Sequence, residues 1–134
     1  MGEAENRQAV ERAWKATETG DIQQLADLVH EDAVQEWPQS GERIRGKKNI
    51  AAINDNYPGM PTAKMRRIST AGDLVVAELL LEYGDKPVHL CSILEMKDGK
   101  VIRQTDYFAD PFEAPEWRKQ WVEKMEPMET TRPS

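Results

Sequence analysis

The sequence predicts an α+β fold, with helices in the first half of the chain and antiparallel strands in the second. Apolar residues recur at spacings of three and four in the first half, which is typical of helices. From Ala63 onward they alternate with a period of two, and links of hairpin length, such as Asp98-Gly99, separate the segments. Helices that precede the long strands favour an α+β fold over an α/β fold.

The elements before residue 58 are three helices and one short strand. In order they are a helix at Ala4–Thr19, a short helix capped by Asp21, a strand at Ala33–Trp37, a loop at Pro38–Gly46 and a helix at Lys47–Tyr57. Gln24, three residues after Asp21, resembles the second half of a capping box. His30 is expected to end the second helix, where a cation suits the helix dipole.

Four strands and a final helix are predicted after residue 62. The strands are Ala63–Thr70, Leu74–Tyr83, Val88–Lys97 and Val101–Phe108, and the helix is Pro115–Met125. The strand at Leu74–Tyr83 is apolar on both faces, whereas a strand with one wet face should alternate. The helices are therefore expected to cover one side of the sheet, and a second copy of the chain the other, in a two-fold homodimer. The C-terminal helix is the alternative cover for that second side.

Length, charge and cysteine content limit what this chain can be. Its 134 residues suit one domain, expected at residues 1–126, with a polar tail at residues 127–134. The net charge of -6 argues against partners such as nucleic acid or anionic membranes, and no apolar run reaches the roughly 20 residues of a membrane span. Cys91 is the one cysteine, which fits a reducing, cytoplasmic location. His30 and His89 lack metal-ligand spacing, and neither a metal nor another cofactor is expected.

Four stretches carry a family resemblance: TGDIQQLADLVHEDAV, RGKKNI, EMKDGKVIRQTDYF and ADPFEAPEW. Together with the order of elements, they resemble the nuclear transport factor 2-like superfamily, and within it the SnoaL-like polyketide cyclase branch, related to ketosteroid isomerase and limonene epoxide hydrolase. The resemblance covers about Glu5 to Trp121. It implies a cone, in which a curved antiparallel sheet wraps around three N-terminal helices and encloses an apolar pocket. It says less about activity, because this fold hosts unrelated functions.

The resemblance and strand alternation together imply which side chains face the pocket. On the last strand these are Ile102, Gln104, Asp106 and Phe108. Besides Asp106, the residues expected to contact an apolar small-molecule ligand are Trp14, Gln35, Trp37, Tyr57, Leu79, Leu81, Leu90, Ser92, Gln104 and Phe108. The rings of Trp117 and Trp121 are expected to close the open end of the cone.

The catalytic groups of ketosteroid isomerase are not retained. By the resemblance, the general base of that enzyme falls on Trp37, its oxyanion-hole tyrosine falls near Ala13, and its protonated aspartate falls near Ser92. Each replacement lacks the group that the chemistry requires. Isomerisation by that set of residues is therefore not expected.

Asp106 is the carboxylate that the other two relatives share with this chain. In limonene epoxide hydrolase it would match one of two aspartates, but the arginine and the second aspartate fall on Leu79 and Leu81, and the asparagine falls on Trp37. SnoaL-type cyclases rely on a single aspartate of the last strand as the acid/base of an aldol closure. Asp106 resembles that residue, so the resemblance favours this chemistry over epoxide hydrolysis.

Two functions from different classes remain open. In the first, the protein is a cofactor-independent isomerase, cyclase or lyase on an apolar carbonyl compound. Burial would cost the Asp106 carboxylate solvation and ready it for proton transfer near neutral pH, while Gln35 and Gln104 hold the oxyanion and Trp37 and Tyr57 cover the ring. In the second, Asp106 is structural, bonded for instance to an indole N–H, and the domain binds a ligand or dimerises without catalysis. An open pocket with Asp106 at its floor favours the first function.

Overall fold

The structure, a computed structural model, describes residues 2–126. The polar tail predicted at residues 127–134 lies outside the described residues. The helices are α1 (Glu3–Ala16), α2 (Gln23–Leu28) and α3 (Lys47–Asp55), with 3-10 turns at Thr17–Thr19 and Glu116–Trp121. The strands are β1 (Val29–Trp37), β2 (Glu42–Arg45), β3 (Thr62–Ala71), β4 (Leu74–Tyr83), β5 (Lys86–Lys97) and β6 (Lys100–Ala109).

All six strands form one curved sheet in the order β2-β1-β6-β5-β4-β3. The α+β class and the cone are confirmed, and the meander from β3 to β6 is antiparallel as predicted. The sheet is nevertheless mixed, because β1 pairs with β6 in parallel. The long connection from β1 to β6 permits this, since parallel neighbours require a crossover rather than a hairpin.

The region between α2 and α3 differs most from the sequence prediction. β2 lies inside the segment that was expected to be a loop, and it pairs antiparallel with β1. β1 begins at Val29, so the prediction that His30 ends a helix is wrong. Asp21 does accept a hydrogen bond from the Gln23 N–H at 3.0 Å, but α2 begins without the predicted capping box.

The C-terminal segment does not form the predicted helix from Pro115 to Met125. It contains a single 3-10 turn at Glu116–Trp121. The side chains of Trp117 and Trp121 are 72% and 71% exposed, so they do not close the cone of their own chain. None of the helices in the described part of the chain combines the length and the apolar character needed to cross a bilayer.

The inner face of the sheet packs on α1 to form the main core. Val10 and Trp14 of α1 belong to one buried cluster with the inward side chains of the meander, among them Leu79 and Leu94. Glu3 anchors the start of α1, because its carboxylate accepts hydrogen bonds from the Thr70 hydroxyl and the Gly72 N–H. These two bonds hold the pKa of Glu3 below its usual value. The start of α1 is thus tied to the end of β3 and the turn that follows it.

A bulge changes which residues of β6 face inward. The register of β5 and β6 shifts between Glu95 and Met96, which places Val101 opposite Met96. Val101 is buried in the core at 3% exposure, whereas Ile102 is only half-buried. The prediction that Ile102 faces the pocket is therefore wrong, because strict alternation fails where a bulge adds a residue.

Candidate functional site

A buried carboxylate with four side-chain donors lies at the centre of the site. Asp106 is 3% exposed. Its Oδ1 accepts hydrogen bonds from the Ser92 hydroxyl at 2.8 Å and from Gln104 Nε2 at 3.0 Å. Its Oδ2 accepts from Gln35 Nε2 at 2.8 Å and from Trp37 Nε1 at 3.1 Å. Both carboxylate oxygens are therefore fully partnered by neighbouring side chains.

The strand register assembles these donors. Ser92 lies directly across from Asp106 in the antiparallel β5–β6 pair. Gln104 precedes Asp106 by two residues on β6, so the two side chains share a face. Gln35 is the parallel partner of Gln104, and Trp37 follows two residues later on β1. The unpredicted parallel pairing of β1 with β6 is therefore what brings two of the four donors to the carboxylate.

Burial and hydrogen bonding act on the Asp106 carboxyl in opposite directions. Loss of water disfavours the charged form, whereas donors aimed at a carboxylate favour it. Hydrogen bonds to a charged acceptor are about twice as strong as neutral ones. Four such donors on one carboxylate hold it in place and compensate its desolvation. The network therefore fixes the position and orientation of the carboxylate.

A cavity of about 140 Å³ opens beside this network, between the helices and the inner face of the sheet. Nine of the eleven predicted site residues line it: Trp14, Gln35, Trp37, Tyr57, Leu81, Leu90, Gln104, Asp106 and Phe108. Leu79 and Ser92 do not, because both are packed behind its wall. Ser92 supports Asp106 from that position. A role for any of these residues in ligand binding stays a prediction.

Sequence reasoning missed Tyr83, which also lines the cavity. Its hydroxyl lies 2.6 Å from that of Tyr57, and the two rings stack with centroids 6.5 Å apart. Burial, followed by the hydrogen bond to Tyr57, raises the pKa of Tyr83. The signal was present in the sequence, because Tyr83 continues the inward series of β4 two residues beyond Leu81.

A wider groove of about 440 Å³ shares several residues with the cavity and forms its mouth. Its lining consists of Trp37, Tyr57, Tyr83, Lys86, Val88 and Phe108. The rings of Trp37 and Phe108 meet edge to face at 6.3 Å. Gln39 fixes this corner, because its side-chain amide both donates to and accepts from the backbone of Phe108. Asp106 lines the cavity but not the groove, so it lies at the inner end.

The remaining polar groups near the cavity are few. Trp14 lines it, and its indole N–H is buried without a hydrogen-bond partner among the described residues. No group of three or more His, Cys, Asp and Glu side chains with the geometry of a metal site occurs within residues 2–126.

The chain belongs to the SnoaL-like domain family, whose sequence profile matches residues 10–104. A search of curated protein sequences gave no match. Among solved structures, an NTF-2 like protein of unknown function from Burkholderia xenovorans is 40% identical with a TM-score of 0.84, covering 92% of this chain and 97% of its own.

Two further structures carry enzyme names. A proposed ketosteroid isomerase from Kribbella flavida is 28% identical with a TM-score of 0.82, covering 97% of this chain and 96% of its own. An epoxide hydrolase-like protein from M. tuberculosis, of the limonene epoxide hydrolase (LEH) type, is 28% identical with a TM-score of 0.64, covering 79% of this chain and 84% of its own. The recognition of the nuclear transport factor 2-like superfamily from sequence is thus confirmed.

Proposed function

We propose that the protein binds a small carbonyl compound in the cavity and that Asp106 moves a proton on it, in an isomerase, cyclase or lyase reaction. The observation that supports this most is the placement of one buried carboxylate in the wall of an open, mainly apolar cavity. Buried carboxylates are rare unless they are paired or functional. No metal or cofactor is needed for such a reaction.

The proposed reaction begins with proton abstraction. The Asp106 carboxylate takes a proton from a carbon next to the ligand carbonyl, and the electron pair of that C–H bond moves onto the carbonyl oxygen to give an enolate. Where a C=C bond of the ligand is conjugated with this enolate, return of the proton from Asp106 to the far carbon of that bond re-forms the carbonyl and completes an isomerisation. Attack of the enolate carbon on a second carbonyl of the same molecule would instead close a ring, and Asp106 would then return its proton to the new alkoxide. General-base catalysis of this kind contributes about 10²–10⁴-fold in rate.

A non-catalytic binding domain is the second candidate, and one observation favours it. The four donors occupy both oxygens of Asp106. A carboxylate with its acceptor positions filled has no lone pair free to contact a ligand proton. In this alternative Asp106 holds the strands and the cavity wall together, and the ligand is recognised by shape.

Hydrogen–deuterium exchange on simple ring ketones separates these two functions. Cyclopentanone and cyclohexanone in D2O lose their α-hydrogens to solvent, and proton NMR follows the loss. The first function predicts that the protein accelerates this exchange and that Asp106→Asn removes the acceleration, at least about 100-fold. Asp110→Asn is the matched control, because Asp110 is exposed just beyond β6.

The outcome that contradicts catalysis is equal exchange with the wild-type protein, Asp106→Asn and Asp110→Asn. Thermal unfolding of each variant is measured in parallel, so that a loss of fold is not mistaken for a loss of chemistry. If the three proteins exchange equally while ring compounds still bind, the non-catalytic function stands.

We also propose that residues 1–126 form one domain and that two copies associate through the outer sheet face. Val76, Leu80 and Ile93 lie on that face as neighbours in β4 and β5, and each is only half-buried in the single chain. The proposed location is cytoplasmic, which suits the lone cysteine Cys91. Sedimentation at micromolar concentration tests the assembly, and a clean monomer would contradict it.

A further inference from the structure

The Tyr57–Tyr83 pair offers one free hydrogen-bond donor at the mouth of the cavity. Each phenol carries one O–H, and only one proton lies between the two oxygens at 2.6 Å. Neither hydroxyl has another partner among the described residues. The second proton is therefore left for a third group. A hydroxyl that already accepts a hydrogen bond is also a stronger donor, since linked hydrogen bonds polarise one another.

The glutamine amides near Asp106 are less available. Gln35 and Gln104 each direct an N–H at the carboxylate. The second N–H of either amide could reach a ligand oxygen, but that oxygen would lie beside the negative charge of Asp106. The tyrosine pair lacks this disadvantage, because its free O–H lies at the other end of the site.

Charge is distributed unequally between the two ends. Of the residues that line the cavity or the groove, only Asp106 and Lys86 carry a charge. Asp106 lies at the inner end, and Lys86 lines the groove together with Tyr57 and Tyr83. No carboxylate of the described residues lies within 4.0 Å of the Lys86 ammonium. A negatively charged group is therefore disfavoured at the floor and favoured at the mouth.

The size of the cavity limits the part of the ligand that extends inward from a negatively charged group at the mouth. A volume of about 140 Å³ is close to that of engineered protein cavities that hold one benzene molecule, about 150 Å³. The walls at this depth include Leu81, Leu90 and the rings of Trp37 and Phe108. The inner space thus admits a single ring, and any polar substituent of that ring must extend into the groove.

We propose that the site selects a single-ring carboxylic acid, with its ring inside the cavity and its carboxylate held at the mouth by the Tyr57–Tyr83 hydroxyls and Lys86. This inference rests on the proposed function, because it uses the same cavity and adds the class of the ligand. A substrate of the proposed reaction would then carry both a carbonyl, within reach of Asp106, and this carboxylate.

Three single-ring probes test the charge preference: the nearly isosteric pair benzoate and benzamide, and toluene, which lacks the polar substituent. Their binding is followed by NMR through the indole N–H signal of Trp37, which lines both the cavity and the groove. Benzoate is expected to bind more tightly than either neutral probe. The double variant Tyr57→Phe/Tyr83→Phe should weaken benzoate binding about 10-fold, because it removes both hydroxyls, whereas Tyr83→Phe alone would leave the Tyr57 O–H free to donate. Lys86→Met should weaken it about 3-fold, since this ion pair is exposed.

Matched control variants separate these effects from general damage. Tyr107→Phe makes the same change at a tyrosine that is 44% exposed on the opposite face of the sheet. Lys97→Met removes an exposed lysine of the same strand as Lys86. Neither control should alter benzoate binding.

Equal binding of benzoate and benzamide, or benzoate binding that survives both the double tyrosine variant and Lys86→Met unchanged, overturns the inference. Asp106→Asn distinguishes this failure from that of the proposed function. If the variant loses ketone exchange while benzoate binds no better than toluene, the chemistry stands and the ligand class is wrong. If none of the three probes binds, the inference fails, and the ketone exchange alone decides the proposed function.

Discussion

Both faces of strand β4 carry apolar residues, yet they lie in different environments. The inward residues from Val75 to Leu81 are at most 5% exposed, beneath the helices. The outward residues Val76 and Leu80 remain half-buried, and Glu78 between them is paired with arginines of β3. An apolar pattern therefore predicts that a face of the sheet is covered, but it does not predict which element or partner covers it. The helices that cover the inner face, and the cavity beside them, belong to one chain. The second copy that would cover the outer face is a proposal.

The largest effect on stability is expected from Asp106→Leu on the inner face. The substitution leaves four side-chain donors without their acceptor, and each buried unpaired group costs about 1–3 kcal/mol. Some of them will find new partners, so we expect a loss of about 4 kcal/mol in the free energy of unfolding, measured with urea. A loss below about 1 kcal/mol would show that the network around Asp106 contributes little to the inner face.

The contrast between the faces is tested directly by a pair of adjacent leucines. Leu79→Ala creates a cavity in a core position that is 2% exposed, and we expect a loss of about 3 kcal/mol. Leu80→Ala makes the same change on the outer face and should cost about 1 kcal/mol in the monomer. Urea unfolding at low protein concentration gives both values. Equal losses of stability would contradict the difference in burial between the two faces of β4.

The outer face is tested by a charge. Val76→Asp places a carboxylate on the proposed interface, where burial of an unpaired charge is unfavourable. Analytical ultracentrifugation should show the dimer dissociating, while thermal unfolding of the dilute protein changes little. Ser40→Asp is the control, since Ser40 is exposed in the turn between β1 and β2, at the edge of the sheet remote from β4. A variant that remains as dimeric as the control would remove the outer face from the proposed interface.

The smallest effect is a pH dependence at the mouth of the cavity. Because the pKa of Tyr83 is raised in the folded protein, the unfolded chain loses this proton first, near pH 10. The folded state then binds more protons than the unfolded state, so this contribution to stability is complete below about pH 10 and declines above it. We expect Tyr83→Phe to lack that part of the decline and Tyr107→Phe to retain it. Urea unfolding between pH 8 and 11 measures the difference, and identical profiles would contradict the buried tyrosine pair.

The sequence was sufficient for the fold and for the position of the buried carboxylate. Both depend on patterns that extend over many residues, and the inward side of β6 near Asp106 follows from simple alternation. Alternation failed at Ile102, where a bulge inserts one residue, because the pattern of a single strand does not reveal its partner's register.

Other features depended on tertiary context and could not be predicted from local patterns. β2 is only four residues long and carries three charges, so nothing in it resembles a strand before β1 provides a partner. Gln35 and Trp37 donate to Asp106 across the parallel β1–β6 pair, although they precede Asp106 by 71 and 69 residues in the sequence. The two exposed tryptophans of the C-terminal segment, Trp117 and Trp121, looked like core residues because apolar spacing does not report what is available to pack against.

The four tryptophans provide the most direct test of the central claim, that the inner face of the sheet builds a ligand cavity around Asp106. Trp14 and Trp37 line the cavity, whereas Trp117 and Trp121 are exposed outside it. In a ¹H–¹⁵N spectrum their indole signals can be followed together while a single-ring ligand is added. We predict saturable shifts of the Trp14 and Trp37 signals and none at Trp117 or Trp121. Shifts confined to the exposed pair, or no saturable shift at any of the four, would contradict the account.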